Sequence, residues 1–220
     1  MDTAAPKYVG TLFLAAMFAA IAGNLLLLPI IGETDYLRAV LDKALTVRIA
    51  GLLMLLNSIF VAAIGVLMYP TLSQRSTFIA LGYVVSRAIE SVVLIFGIVS
   101  LMSLLYFAEQ YAKDDVENPS YILTLGKSAI DSNWYSYNIA MIVLGVGSLT
   151  FCYVLYTAKL VPKTISLLGF FGYFVLAATS TLAILGFEIG LLVTLPVFLF
   201  EVIFGVWLIA KGFSSTSLFT

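Results

Sequence analysis

The chain has 220 residues, of which 62% are hydrophobic and only 10% are charged. Soluble domains are about 45–50% apolar and about 25% charged, so this composition excludes a soluble globular protein and indicates a lipid environment. The net charge of −1 excludes the basic surface that nucleic acids require, and we expect no nucleic-acid partner. The chain has a single cysteine, Cys152, and no histidine, so the commonest metal ligand and the usual general base are absent. We therefore expect no metal and no cofactor.

Six apolar runs are long enough to cross a bilayer, which takes about 20 residues of helix. The predicted helices cover residues 8–31, 45–70, 78–107, 134–158, 164–187 and 189–210. We predict an all-α polytopic membrane protein in which residues 1–220 form a single six-helix transmembrane domain. Trp134, Tyr135 and Tyr137 open the fourth predicted helix and are typical of the headgroup belt.

The links between the predicted helices differ in charge from one side to the other. One side carries the loops 32–44 and 108–133 and the turn at Glu188, with four Lys/Arg and nine Asp/Glu. The opposite side carries five Lys/Arg in short links, and its one acidic residue is Asp2. Because basic residues in short links mark the cytoplasmic side, we expect both termini inside (N-in/C-in) and the two loops outside. In the first outer loop, residues 35–42 have apolar side chains at helical spacing, which predicts a short helix at the outer interface.

The most polar stretch within an apolar run is residues 86–91, SRAIES. Arg87 and Glu90 are one turn apart, so they share a helix face. At ~1.5 Å per residue from the inner helix ends, Arg87 and Glu201 each lie ~14 Å deep, Glu90 ~18 Å and Asn57 ~20 Å. These groups meet near the midplane if the second, third and sixth helices adjoin, and Arg87 then pairs with Glu201. The candidate binding residues of this polar interior are Arg87, Glu90, Glu201, Asn57, Ser86 and Ser91.

A second polar set, Arg48, Asn138 and Asn24, lies nearer the outside. We expect Arg48 to extend its side chain to the headgroups rather than to bind a ligand. Pro196 precedes Glu201 by five residues and removes one backbone hydrogen bond, which predicts a kink beside that carboxylate.

The polar interior has two interpretations. Ionisable groups inside a membrane mark functional sites by default, but an Arg–Glu pair can also be a staple that fixes helix packing. No phosphate-binding loop or Gly-x-Ser-x-Gly elbow occurs, and without histidine no Ser–His–Asp triad can form, so no catalytic residue is assigned. Three classes stay open: a non-catalytic protein that binds or moves a small or lipidic molecule, a structural or regulatory protein, and a lipid-acting membrane enzyme. The expected partners are the lipid bilayer and a small or lipidic ligand, and an oligomer stays open.

Three segments carry a family resemblance. They are the stretch 86–90 with its apolar tail, residues 155–163 followed by Leu-Leu-Gly at 167–169, and the ending 201–212 (EVIFGVWLIAKG). They are similar to a bacterial integral-membrane family, domain of unknown function 4386, over most of the chain from Tyr8 to Phe213. The resemblance implies six helices and the bacterial inner membrane, and it implies no activity. Members often carry a histidine near the start of the fourth helix, where this chain reads NWYSYN over residues 133–138.

Overall fold

The structure, a computed structural model, describes residues 5–113, 118–187 and 189–214. Every regular element in those residues is helical. The helices are α1 (Ala5–Ile31), α2 (Tyr36–Asp42), α3 (Ala44–Ser73), α4 (Thr77–Tyr111), α5 (Pro119–Thr157), α6 (Lys163–Ile184) and α7 (Leu195–Ala210), with a 3₁₀ turn over Leu191–Thr194. Within these residues six helices, α1 and α3 to α7, are long and apolar enough to cross a membrane, the last counted from Leu192. The predicted all-α polytopic fold is confirmed.

The six long helices form a closed ring in chain order. Each packs against the next, from α1 and α3 round to α6 and α7, and α7 closes the ring against α1. Glycines permit the tightest crossings, as small residues do in membrane bundles. A Cβ atom at Gly10 of α1 would lie 2.5 Å from the Gly205 carbonyl oxygen of α7. The ring order therefore places α7 beside α1 and α6, across the ring from α4.

Two apolar cores fill the ring. The first lies towards the end at which α1 begins and α7 ends, called here the terminus end, and it is built around the aromatic side chains Phe13, Tyr83, Phe151, Phe200 and Phe204. The Phe151 and Phe204 rings meet edge to face, with centroids 5.6 Å apart. The second core lies at the opposite end, called the α2 end, where α2 joins α1, α3, α4 and α5. The polar candidates of the ring interior thus have a closely packed aromatic layer beneath them.

The second predicted loop, residues 108–133, is mostly helix, and this boundary prediction is wrong. α4 continues to Tyr111 and α5 already begins at Pro119, while residues 114–117, with three of the predicted loop acids, lie outside the described residues. The Asn118 side chain accepts a hydrogen bond from the Tyr121 amide at 3.2 Å, and proline is favoured in the first helical turn. The length criterion missed this segment because it detects only wholly apolar runs. With 39 residues, α5 is ~58 Å long, about twice the ~30 Å hydrocarbon core.

The short helix predicted over residues 35–42 is confirmed as α2. Its side chains Leu37 and Val40 are fully buried, in a core shared with Leu101 and Leu104 of α4. Tyr36 donates a hydrogen bond from its hydroxyl to the Leu123 carbonyl at 2.6 Å, which ties α2 to the extension of α5. The apolar face of α2 is therefore covered by protein, and the segment that contains α2 forms a cap on the bundle.

Smaller boundary differences have local causes. α3 continues through Pro70 to Ser73, beyond the predicted end at residue 70. α6 ends at Ile184, where its last turn leads into Gly186 at φ 90°, a conformation that favours glycine. The predicted turn residue Glu188 lies outside the described residues. The last α-helix begins at Leu195, after the 3₁₀ turn, and not at residue 189 as predicted.

Candidate functional site

Arg87 and Glu90 form a buried ion pair on α4. The Arg87 Nη1 atom lies 2.8 Å from Glu90 Oε2, and the two side chains are only 3% and 2% exposed. The prediction that they share one helix face is confirmed. The expectation that Arg87 pairs with Glu201 is wrong, because α7 packs mainly against α1 and α6, so the last helix does not adjoin α4 as that pairing required.

An aromatic shell surrounds the Arg87 guanidinium. Its carbon lies 5.6 Å from the Phe13 ring centre and 5.7 Å from that of Tyr83, within the range of cation–π attraction. Tyr83 in turn stacks on Phe151, with ring centroids 4.8 Å apart. On the α3 side, a Cβ at Gly65 would lie 2.9 Å from the Arg87 Cβ, so the backbone of α3 itself closes that side. The pair is sealed by rings and backbone.

Two polar atoms beside the pair have no hydrogen-bond partner among the described residues. They are the hydroxyl oxygen of Tyr83 and the Nε atom of Arg87, and both are buried. A buried polar atom without a partner costs about 1–3 kcal/mol, so native proteins rarely keep one without a reason. The Tyr83 hydroxyl in particular remains able to accept a hydrogen bond from a donor in the ring interior.

Glu201 forms a second polar pair, with Tyr173 of α6. The fully buried Tyr173 donates from its hydroxyl to Glu201 Oε1 at 3.0 Å. Glu201 itself is half-buried, and it shares its helix face with the buried side chains of Val197, Phe204 and Leu208. No Lys or Arg of the described residues lies within 4.0 Å of this carboxylate. Glu201 therefore faces the ring interior without an ion pair, and Arg87 acts on it only from a longer distance.

Tyr137 lies in α5 between the two apolar cores. It lies on the face of α5 that also carries Met141, Leu144 and Ser148, all buried and directed into the ring. Tyr137 is nevertheless 46% exposed. Its hydroxyl lies within electrostatic range of the Glu201 and Glu90 carboxylates. Tyr137 and Glu201 are thus two partly exposed groups within electrostatic range of each other, and the space between them is called the recess below.

The assignment of Tyr137 to the headgroup belt is therefore incomplete, because its side chain faces the ring. Trp134 and Tyr135, which precede it, are exposed and stack edge to face at 4.9 Å, as belt residues do. Sequence reasoning also missed Tyr173, Tyr83 and Phe13. A tyrosine or phenylalanine in an apolar run carries no signal of its direction, since that depends on the order of helices around the ring.

The two serines of the 86–91 stretch connect helices. Ser91 donates from its hydroxyl to the Ser58 carbonyl of α3 at 2.8 Å. Ser86 donates to the Tyr83 carbonyl at 2.8 Å and packs against Gly147 of α5. Asn57 is half-buried on the side of α3 that packs on α1, three residues beyond Met54, which contacts Gly23 there. Of the six candidates, only Arg87 and Glu90 bond directly to each other.

The outer polar set is not brought together by hydrogen bonds within the described part of the chain. Asn24 donates from its amide to the Ala20 carbonyl, and Asn138 donates to the Trp134 carbonyl, each at 2.9 Å and each within its own helix. Arg48 is exposed, as expected of a side chain that extends to the headgroups. These three residues do not form a common site.

The kink predicted at Pro196 is replaced by a helix start. Pro196 occupies the first turn of α7, where the missing amide hydrogen costs nothing. The 3₁₀ turn before it shortens the α-helical part of α7, so Glu201 lies only in its second turn. The break in the helix that the proline predicted is therefore present, at the helix end rather than in its middle.

A shallow cleft of about 710 Å³ lies between α2 and α5. It is bordered by Tyr36 and by the exposed ion pair of Lys127 and Asp131, at 2.9 Å. Partial burial raises the pKa of the Tyr36 hydroxyl, whose hydrogen bond to α5 is described above. Elsewhere in residues 5–113, 118–187 and 189–214, no three His, Cys, Asp or Glu side chains gather in a way that could hold a metal ion.

A family model described as a domain of unknown function, DUF4386, matches residues 8–212. The match spans most of the chain, so the protein belongs to this family, and the resemblance seen in its sequence is confirmed. No curated protein and no solved structure matches the chain. The family description supplies no activity, so the function has to be argued from the site.

Proposed function

We propose that this DUF4386 protein is a non-catalytic protein of the bacterial inner membrane that binds or moves a small or lipidic molecule in the recess between Tyr137 and Glu201. The observation that carries the proposal is the partial exposure of Glu201 and its lack of an ion pair. This carboxylate faces the ring interior, is partly accessible and has no cation within 4.0 Å among the described residues.

The cost of such a carboxylate is the physical argument. A charged side chain at the centre of a bilayer costs ~2.5–3.5 kcal/mol on insertion scales, and such groups pair or serve a function. Arg87 acts on Glu201 from beyond 4.0 Å, because its ion pair is formed with Glu90. A polar molecule that reaches Glu201 would supply the missing interaction.

The recess supports binding more than free passage through the ring. Below Glu201, the aromatic core of Phe13, Phe151 and Phe204 is fully or almost fully buried. These rings pack edge to face, with Phe13 and Phe204 centroids 5.3 Å apart. A molecule held at Glu201 would therefore rest on an apolar floor, which suits a ligand with an apolar part.

A structural or regulatory role is the second candidate, and the sealed Arg87–Glu90 pair favours it. That pair has the burial and the single-helix geometry of a packing staple. The lipid-acting enzyme gains less support, because the described polar neighbour bonded to Glu201 is a tyrosine and not a nucleophile with its base.

The test is native purification in lipid nanoparticles, followed by extraction and mass spectrometry. We expect one compound to be enriched over the bulk lipids in the wild type and in Glu109→Gln, an exposed carboxylate of α4. Glu201→Gln should lose that compound. The same lipid composition in all three samples would contradict ligand binding and favour the structural role.

The proposed orientation places both termini in the cytoplasm. In a Cys152→Ala background, Lys127→Cys on the extension of α5 should react with a membrane-impermeant thiol reagent in intact spheroplasts. Lys159→Cys, in the short link after α5, should react only after lysis. The reverse pattern would invert the topology.

A further inference from the structure

We propose that the recess takes an amphiphilic cation, an alkylammonium compound, and that this cation exchanges for one proton on Glu201. The inference rests on the function proposed above and specifies its ligand class. It is carried by the lone carboxylate, the unpartnered Tyr83 hydroxyl and the aromatic surroundings.

The charges around the recess select a cation. Arg87, Glu90 and Glu201 sum to −1, and Arg87 and Glu90 already neutralise each other at 2.8 Å. With Glu201 ionised, an anion in the recess would add to the excess negative charge, and a neutral molecule would leave the carboxylate uncompensated, so neither can replace the proton on Glu201. An ammonium group restores neutrality inside a medium where each uncompensated charge is expensive.

The polar groups around Glu201 suit an ammonium donor. Ammonium groups donate hydrogen bonds and accept none. The Glu201 carboxylate and the Tyr83 hydroxyl, which is fully buried and has no partner among the described residues, both accept. The electrostatic range of Glu201 includes Tyr83. The Phe200 and Phe204 rings, stacked on each other at 5.2 Å and fully buried, make the surroundings of Glu201 aromatic.

Proton exchange follows from the need for neutrality in both states. In the empty recess a proton on Glu201 removes the charge, and in the loaded recess the ammonium does. The step is Glu201–COOH plus an ammonium ion giving the Glu201 carboxylate–ammonium pair plus one proton, which leaves to water. No bond other than the carboxyl O–H breaks, and the charge is the same on both sides.

Glu201 is the group that exchanges a proton in this scheme, and the reason lies in the side chains that face it from the neighbouring helices. α6 contributes Tyr173, α5 contributes Tyr137, and α4 contributes Tyr83 with the Arg87–Glu90 pair. Where α1 packs on α7, it presents Gly10 and Leu14, which do not titrate. The 3₁₀ turn before α7 reads LLVT and holds no ionisable side chain. The tyrosines are hydrogen-bonding groups here, and the Arg87–Glu90 pair is sealed from the solvent.

The experiment uses the full chain in lipid nanodiscs with four matched probes: decyltrimethylammonium and decylamine as cations, decanol as the neutral molecule and decanoate as the anion. Binding is measured by equilibrium dialysis against empty nanodiscs, and proton release by a pH dye in weak buffer. We expect both cations to bind with about one proton released for each, decylammonium more tightly because decyltrimethylammonium has no N–H to donate. Their affinity should rise with pH by up to about tenfold per unit. The sign follows because protons compete with the cation for the same carboxylate.

Variants distinguish a loss of cation binding from a loss of folding. Glu201→Gln should weaken cation binding about tenfold or more and abolish proton release, while Glu201→Asp keeps proton release and Glu109→Gln matches the wild type. If Glu201→Gln fails to fold, proton release by the wild type alone still decides. Cation binding without proton release, or of equal strength in Glu201→Gln, overturns the inference. If only decanol or decanoate binds, and binding depends on Glu201, the inference is overturned but the proposed function is supported. If no probe binds and no compound co-purifies, both are overturned.

Discussion

The Arg87–Glu90 pair and the Glu201–Tyr173 pair lie inside the same ring of helices but in opposite surroundings. The first pairs opposite charges within one helix and is sealed by Phe13, Tyr83 and the α3 backbone. The second joins two helices through one hydrogen bond at 3.0 Å and leaves its carboxylate half-buried. The two pairs thus differ in charge balance and in accessibility: one is a sealed ion pair, and the other is a partly exposed carboxylate bonded to a tyrosine.

The two pairs differ because the partners of the first lie on one helix, whereas those of the second lie on two. Arg87 and Glu90 are one turn apart, so their pairing needs only that α4 be helical. The pair can therefore form as α4 inserts into the membrane, which lowers the cost of burying either charge. Glu201 obtains its partner only after α6 and α7 have packed together, through the crossing of Gly172 with Val197.

The largest expected effect is that of Arg87→Leu, which breaks the sealed pair. It leaves Glu90 buried and unpaired, and we expect a loss of about 3–5 kcal/mol. Thermal unfolding in detergent measures it against Arg75→Leu, at an exposed arginine beyond the end of α3. The double variant Arg87→Leu/Glu90→Leu should recover most of the stability. Equal losses at Arg87 and Arg75 would show that the pair does not hold the fold.

Gly65→Ala tests the α3 side of the same shell. The added Cβ would lie 2.9 Å from the Arg87 Cβ and would push the arginine or the helix aside, at a cost of about 1–3 kcal/mol. Gly82→Ala is the matched control, since a Cβ there has nothing within 4 Å and alanine favours a helix. The same unfolding assay should show a lower midpoint for Gly65→Ala only. A midpoint equal to that of the wild type would mean that α3 does not seal the pair.

Thiol labelling compares the accessibility of positions 137 and 148, which lie at two depths along α5. In a Cys152→Ala background, Tyr137→Cys should react with a water-soluble cationic methanethiosulfonate at least about ten times faster than Ser148→Cys. Both positions lie on the same face of α5, but Tyr137 is 46% exposed and Ser148 is fully buried. Reaction rates are followed by mass spectrometry. Equal rates would show that position 137 is no more accessible than position 148 and would contradict the existence of the recess.

Tyr173→Phe is expected to have the smallest effect on stability, about 1 kcal/mol, because it removes one hydrogen bond and no charge pair. Tyr153→Phe, at an exposed tyrosine of α5, is its control and should leave the unfolding midpoint unchanged. A loss as large as that of Arg87→Leu would mean that Glu201–Tyr173 is also a packing staple. The two pairs would then no longer differ in kind.

Much of the fold was predictable because the signals are local. Apolar runs of bilayer length indicated the six long helices, and helical spacing in residues 35–42 indicated α2. The early start of α5 was not predicted, because residues 119–133 mix polar and apolar side chains and gain their order by packing Gly126 and Ala129 inside the cap. A criterion based on apolar length does not detect a helix that is buried on one face only.

The sequence by itself determined the number of membrane helices and the shared helix face of Arg87 and Glu90, since length, apolarity and a three-residue spacing act within one segment. Only the tertiary structure decided the partner of Glu201, the inward direction of Tyr137 and the sealing of Arg87. Each of these depends on which helices are neighbours in the ring, and α7 closes on α1 through Gly10 and Gly205. Equally apolar helices carry little information about their neighbours, because lipid and protein solvate such surfaces almost equally well.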